Sequence, residues 1–213
     1  MIKEFEKRLL SSLILIPISI FFIIQGSVFF TFFLSILFLA TCYEWFGLSK
    51  KNNFLKVFGI FFLSFSFYSA FYIREESLKY FLFILIICIF TDIGGYVFGK
   101  TLNGPKLIKI SPKKTYAGVI GSFLFSLIGG LIYLSYLNID LIRYDMISLN
   151  VFFLISFISL ISQIGDLIIS YFKRKAKLKD TGKILPGHGG LLDRIDGLIF
   201  VIPSIYILML VLK

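Results

Sequence analysis

Residues 170–196, SYFKRKAKLKDTGKILPGHGGLLDRID, hold seven of the 22 Lys and Arg, three of the 12 acids and the sole His of the 213-residue chain. Asp193 and Asp196 stand three apart, so on a helix they share a face. Two carboxylates that close repel unless a cation lies between them. Hard oxygen ligands of this kind suit Mg²⁺, which keeps waters and borrows substrate phosphates. Asp166, upstream, could complete such a site. The same residues also read as a helix start, where acids favour the positive dipole end and Arg194 is a local partner.

The basic run from Lys173 through Arg174 to Lys179 is partly explained as cations at a helix C-terminus and at lipid headgroups. That does not explain the Pro186-Gly187-His188-Gly189-Gly190 turn that follows, where glycine permits positive φ and close backbone approach. Glycines beside lysines and a carboxylate pair suggest a phosphate cradle with a metal, His188 and Gly189 being ligand-contacting candidates. A second loop repeats the theme: Asp92-Ile-Gly94-Gly95-Tyr96 leads to Ser111-Pro112-Lys113-Lys114-Thr115. Hydroxyls and paired lysines before a helix read as anion binding, or Ser and Thr as its cap. Gly94 to Thr101 matches the G-x-x-x-x-G-K-T string of a P-loop, but that motif needs a strand before it, and this match straddles the end of an apolar run.

These residues must be positioned by greasy elements. The chain is 58% hydrophobic, 18% aromatic and 16% charged, against about 25% charged in soluble domains. The composition predicts an all-α, polytopic integral membrane protein whose partner is the lipid bilayer. Net charge +10 could suggest nucleic acid; its distribution argues for membrane topology, and no nucleic-acid partner is expected. Cys42 and Cys88 lie in apolar runs and read as small core residues. On a ruler of about 20 apolar residues per span, seven transmembrane helices are predicted, at 9–26, 28–48, 54–73, 78–99, 116–137, 149–171 and 194–212. The first has no small-x-small cleavage site behind it and reads as an uncleaved span. Residues 1–75 form N-terminal transmembrane helices, and 76–213 a catalytic region with two polar loops.

With a cytoplasmic N-terminus, 18 of the 22 Lys and Arg fall on the cytoplasmic side; only Arg74, Lys79, Arg143 and Lys213 fall opposite. That bias sets the orientation. Acids inside spans point to function; Glu44, Asp92 and Asp166 qualify, each toward the cytoplasmic end. Glu44 reads as an interfacial residue paired with nearby Lys50 and Lys51.

Both loops resemble the CDP-diacylglycerol synthase (phosphatidate cytidylyltransferase) family, whose signature the 170–196 stretch matches end to end. The D-I-G-G-Y and S-P-K-K-T segments resemble its second conserved region. Tyr116-Ala117, Gly95 and Gly197 depart from the family pattern. The resemblance implies transfer of the cytidylyl group of CTP to phosphatidic acid, at an inner (cytoplasmic) membrane site facing the cytoplasm. It implies Asp92, Asp166, Asp193 and Asp196 around Mg²⁺, with K⁺ as a companion cation. Lys173, Arg174, Lys179 and Arg194 would neutralise phosphates, supported by Ser111, Lys113, Lys114 and Thr115, and a homodimer is expected. The competing readings are an enzyme acting on an isoprenoid lipid and a membrane transporter. Transporters favour midplane sites between matched halves, whereas these acids gather at one face.

Overall fold

The computed structural model describes residues 2–49, 52–102, 104–108, 111–136, 150–185, 187 and 189–212. Eight helices are present among them: α1 (Ile2–Gln25), α2 (Ser27–Leu48), α3 (Asn53–Glu76), α4 (Leu78–Thr101), α5 (Tyr116–Tyr136), α6 (Phe152–Lys175), α7 (Leu192–Ile195) and α8 (Leu198–Val211). Five of these (α2 to α6) are long and apolar enough to cross a membrane; the apolar parts at either end of the chain, Leu9–Gln25 and Leu198–Val211, are shorter. The protein is an all-α polytopic membrane protein. In a bilayer each backbone polar group must be satisfied within its own segment, which is why these apolar runs fold as helices. Asn52 and Ser77 start α3 and α4 by accepting from the amides of Leu55 and Tyr80, as capping side chains do.

The loop carrying Ser111–Thr115 holds a feature the sequence did not suggest. Strands β1 (Lys106–Ile108) and β2 (Ser111–Thr115) pair antiparallel, with Lys106 opposite Thr115. β2 runs straight into α5, so the ribbon and the helix fix one another. The last predicted span also differs. Asp196 and Gly197 keep helical dihedrals, yet they fall between α7 and α8, leaving a 14-residue helix of about 21 Å.

Helices α4 and α5 meet along glycines. A Cβ at Gly94 would strike the Gly121 carbonyl, one at Gly121 would strike Phe98, and one at Gly118 would press on the Gly95 carbonyl. Small residues let backbones approach where lipid gives no hydrophobic drive. The string resembling a P-loop therefore lies inside α4 as a packing seam. Beneath it, the Ser122 hydroxyl donates to the Thr91 carbonyl at 2.8 Å, and Thr91 donates to Ser159 at 3.1 Å. These bonds tie α4, α5 and α6 together. Two hydrophobic clusters complete the bundle. One gathers Phe30 and Ala70 with Ile87, Ile155 and Val201; the other joins Trp45 and Leu63 to Ile169, Leu192 and Ile199. Both unite the helices before residue 76 with those after it. Cys42 and Cys88 are buried and free.

Candidate active site

The site begins with two glycines. A Cβ at Gly165 on α6 would meet Phe200 and the Asp196 carbonyl, and one at Gly197 would land on the Ser162 hydroxyl. With neither present, α6 and the foot of α8 close up. Asp166 and Asp196 then come within side-chain hydrogen-bonding reach of each other, with Asp92 of α4 in electrostatic range of both. Two such carboxyls demand a proton or a cation between them. Lys114 of β2 forms an ion pair with Asp166 at 2.5 Å, the Ser170 hydroxyl donates to Asp166 at 3.3 Å, and the Gly197 amide donates to Asp196 at 2.9 Å. The ribbon thus delivers a cation to the Asp166 carboxylate on α6, far from it in sequence.

Asp193 sits differently from its expected pairing with Asp196. One oxygen takes the Lys173 ammonium at 2.7 Å. The other accepts from the Thr181 amide at 2.8 Å, the Thr181 hydroxyl at 3.0 Å and the Gly190 amide at 3.1 Å. Its side chain is 9% exposed. The carboxylate anchors the loop between α6 and α7, and Asp196 turns instead to Asp166. That loop closes on itself through Leu185 and Gly189, whose amides and carbonyls exchange hydrogen bonds at 3.0 and 3.2 Å. Gly187 and Gly189 take positive φ, 77° and 87°, a conformation that glycine adopts without strain.

Arg174, Lys179 and Arg194 are exposed. Arg174 donates to the Leu178 carbonyl at 3.3 Å, and Arg194 lies in electrostatic range of Asp92. Ser111 is half-buried at the start of β2. Thr115 caps α5, its hydroxyl accepting from the Gly118 amide at 3.1 Å. Lys113 is described only in its backbone, as part of β2, and His188 lies outside the described residues. Among the described residues no group of three or more His, Cys, Asp or Glu forms a ready-made metal cluster. Magnesium characteristically takes one or two carboxylates and completes its shell with water and phosphate. The adjacent Asp166 and Asp196 carboxyls are a donor set of that kind.

Sequence reasoning missed Glu44 as a member of this region. It was expected to pair with Lys50 and Lys51, which lie outside the described residues. Instead it is buried, 1% exposed, and faces the loop: the Thr181 hydroxyl and the amides of Leu191 and Leu192 donate to it at 2.8, 2.9 and 2.8 Å. The signal was an acid within an apolar span, at the same end as Asp92 and Asp166. Nearby lysines in the sequence supplied a simpler partner.

A profile of the cytidylyltransferase family matches residues 49–212. The chain is similar to proteins named phosphatidate cytidylyltransferase: 38% identical to one from Staphylococcus saprophyticus over 138 residues, 64% of this chain and 51% of that protein. Relatives of that name from Staphylococcus aureus strain COL and Staphylococcus haemolyticus are 41% and 38% identical over the same coverage. The chain spans about half the length of the curated relatives it matches.

Proposed function

This chain belongs to the cytidylyltransferase family, and from that premise we propose that it transfers the cytidylyl group of CTP to phosphatidic acid. A phosphate oxygen of the lipid attacks the α-phosphorus of CTP. The new P–O bond forms as the α–β phosphoanhydride bond breaks, and its electron pair leaves with pyrophosphate. The products are CDP-diacylglycerol and pyrophosphate. The observation that carries this reading is the meeting of Asp166 and Asp196 beside Lys114, a carboxylate-and-cation centre at one end of a membrane bundle.

The reaction asks the protein to position two polyanions and to offset charge, as in phosphoryl transfer. Asp166 and Asp196, with Asp92 beside them, would hold Mg²⁺, with K⁺ as a companion. Bound there, the metal would neutralise nucleotide phosphate and polarise the phosphorus under attack. Lys114 pairs with Asp166 and Lys173 with Asp193, and the exposed Arg174, Lys179 and Arg194 would form the rim where CTP enters. In this reading the lipid headgroup stays at the interface with its tails among the helices.

The same reading orients the chain. Seven spans with a cytoplasmic N-terminus put 18 of 22 Lys and Arg on the cytoplasmic side, where CTP is found, and the site then faces the cytoplasm from the inner membrane. A homodimer is the assembly that goes with it. The direct test supplies CTP, Mg²⁺ and phosphatidic acid vesicles to the purified protein and assays pyrophosphate together with a CDP-lipid.

A further inference from the structure

Glu44 belongs to α2, outside the residues 49–212 matched by the family profile. Yet its carboxylate grips both ends of the 181–192 segment that leads from the α6–α7 loop into α7. Thr181 opens that segment and Leu191 and Leu192 close it; all three donate to Glu44 within 2.9 Å. A buried carboxylate is costly unless its oxygens are satisfied, and three donors satisfy this one. The fit is close: a Cβ at Gly182 would fall on the Glu44 carboxylate, and one at Gly190 on the Thr181 hydroxyl and then on the same carboxylate. The two glycines leave room for this one side chain.

The contact continues past the loop. The Thr181 hydroxyl lies 2.8 Å from Glu44 and 3.0 Å from Asp193, whose other oxygen holds Lys173 at 2.7 Å. One hydroxyl proton serves two carboxylates, so any change at Glu44 is felt by Asp193. Between the clasped ends the loop presents Lys183 to solvent, and Lys177 and Lys179 stand exposed just before it. A water-soluble polyanion is the ligand such an exposed cationic loop would meet. The lipid headgroup, held at the bilayer surface, approaches from the helices.

We propose that Glu44 is a positioning residue for the cytidylyl transfer, fixing the 181–192 loop and, through Thr181 and Asp193, holding Lys173 in place for the phosphates of CTP. This rests on the function proposed above and adds to it a residue that acts on the nucleotide and not on the lipid. Lys173 lies in electrostatic range of Asp196; Glu44 acts on it through Thr181 and Asp193.

The experiment uses the full chain in phosphatidic acid vesicles with CTP and Mg²⁺, measuring kcat and the KM for each substrate separately. Glu44→Gln keeps the shape but turns an acceptor into a donor facing the Thr181 hydroxyl and the Leu192 amide. It is expected to raise the KM for CTP about tenfold, the equivalent of one lost charge-assisted hydrogen bond, and to leave the KM for phosphatidic acid within about twofold. Thr181→Val is expected to do the same, and Thr181→Ser, which restores the hydroxyl, to recover the wild-type KM. If Glu44→Gln does not accumulate in membranes, the Thr181 pair carries the test. Cys42→Ala, two residues from Glu44 in the same core, is the control for simple loss of packing.

Wild-type KM for CTP in both Glu44→Gln and Thr181→Val overturns the proposal. So does a loss that falls equally on both substrates, or one that Cys42→Ala reproduces or Thr181→Ser does not rescue. A wild-type chain that makes no CDP-lipid overturns the function beneath it, and the role of Glu44 with it; that failure is visible in the wild-type arm alone.

Discussion

Asp166 and Asp196 lie within hydrogen-bonding reach of each other because Gly165 and Gly197, one residue from each, let α6 and the foot of α8 touch. The carboxylate centre is thus a product of backbone contact as much as of the acids themselves. Gly197 is one of the departures from the family pattern, and Ser162 fills the space that a side chain there would need.

That relationship makes the first prediction. Gly197→Ser forces a Cβ onto the Ser162 hydroxyl, and overpacking of this kind costs about 1–3 kcal/mol. Thermal unfolding in detergent should register the loss, and cytidylyl transfer should fall with it. Adding Ser162→Ala should recover most of both. Unchanged stability in the single variant would mean that α6 and α8 do not meet at this point.

Lys114 is the ion-pair partner of Asp166 and comes from a different loop. Lys114→Ala should lower kcat/KM by about 10- to 100-fold, the range for losing a hydrogen bond between charged groups. Lys114→Arg should retain part of the activity. Measured rates for the two variants in phosphatidic acid vesicles decide it; equal rates for Ala and wild type would remove Lys114 from the site.

The Lys173–Asp193 pair supports the loop as well as the site. Both side chains are largely buried, 12% and 9% exposed. Lys173→Met leaves Asp193 with its three donors from Thr181 and Gly190 but no countercharge. Stability should drop by about 1–3 kcal/mol, and limited proteolysis should cut the 177–190 segment sooner than in the wild type. Undiminished protection of that segment would argue that the pair is incidental to loop order.

Thr115 can be assigned by the choice of replacement. As a cap on Gly118, Thr115→Ala should cost about 0.5–2 kcal/mol, and Thr115→Asn, a competent cap, should restore most of it. The KM for CTP should follow stability in both. A raised KM in Thr115→Asn at wild-type stability would identify a substrate contact instead.

Much of this is legible in the amino-acid sequence. Apolar runs of span length announced a helical membrane protein, and acids within them, Asp92 and Asp166, pointed to the end of the bundle where the site lies. The i, i+3 spacing of Asp193 and Asp196 suggested partnership, but spacing along one helix says nothing of what packs beside it. Asp193 is claimed by Lys173 and the Thr181 and Gly190 amides, and Asp196 by Asp166. The β1–β2 ribbon is illegible because its strands are only three and five residues long, too short for an alternating pattern to show. Glu44 was misread for a related reason: its partners are more than 130 positions away, and two of the three are backbone amides. Local charge pattern cannot reveal an acceptor satisfied by main chain from the far end of the sequence.

The central claim is tested most directly by one assay of product formation. Wild-type protein and Asp196→Asn, both in phosphatidic acid vesicles, receive α-labelled CTP with Mg²⁺, and labelled lipid is separated from nucleotide. The account predicts labelled CDP-diacylglycerol with equimolar pyrophosphate from the wild type, and a rate at least about 100-fold lower from Asp196→Asn, in line with loss of a group that acts on the developing charge. No labelled lipid from the wild type, or an undiminished rate in Asp196→Asn, would contradict it.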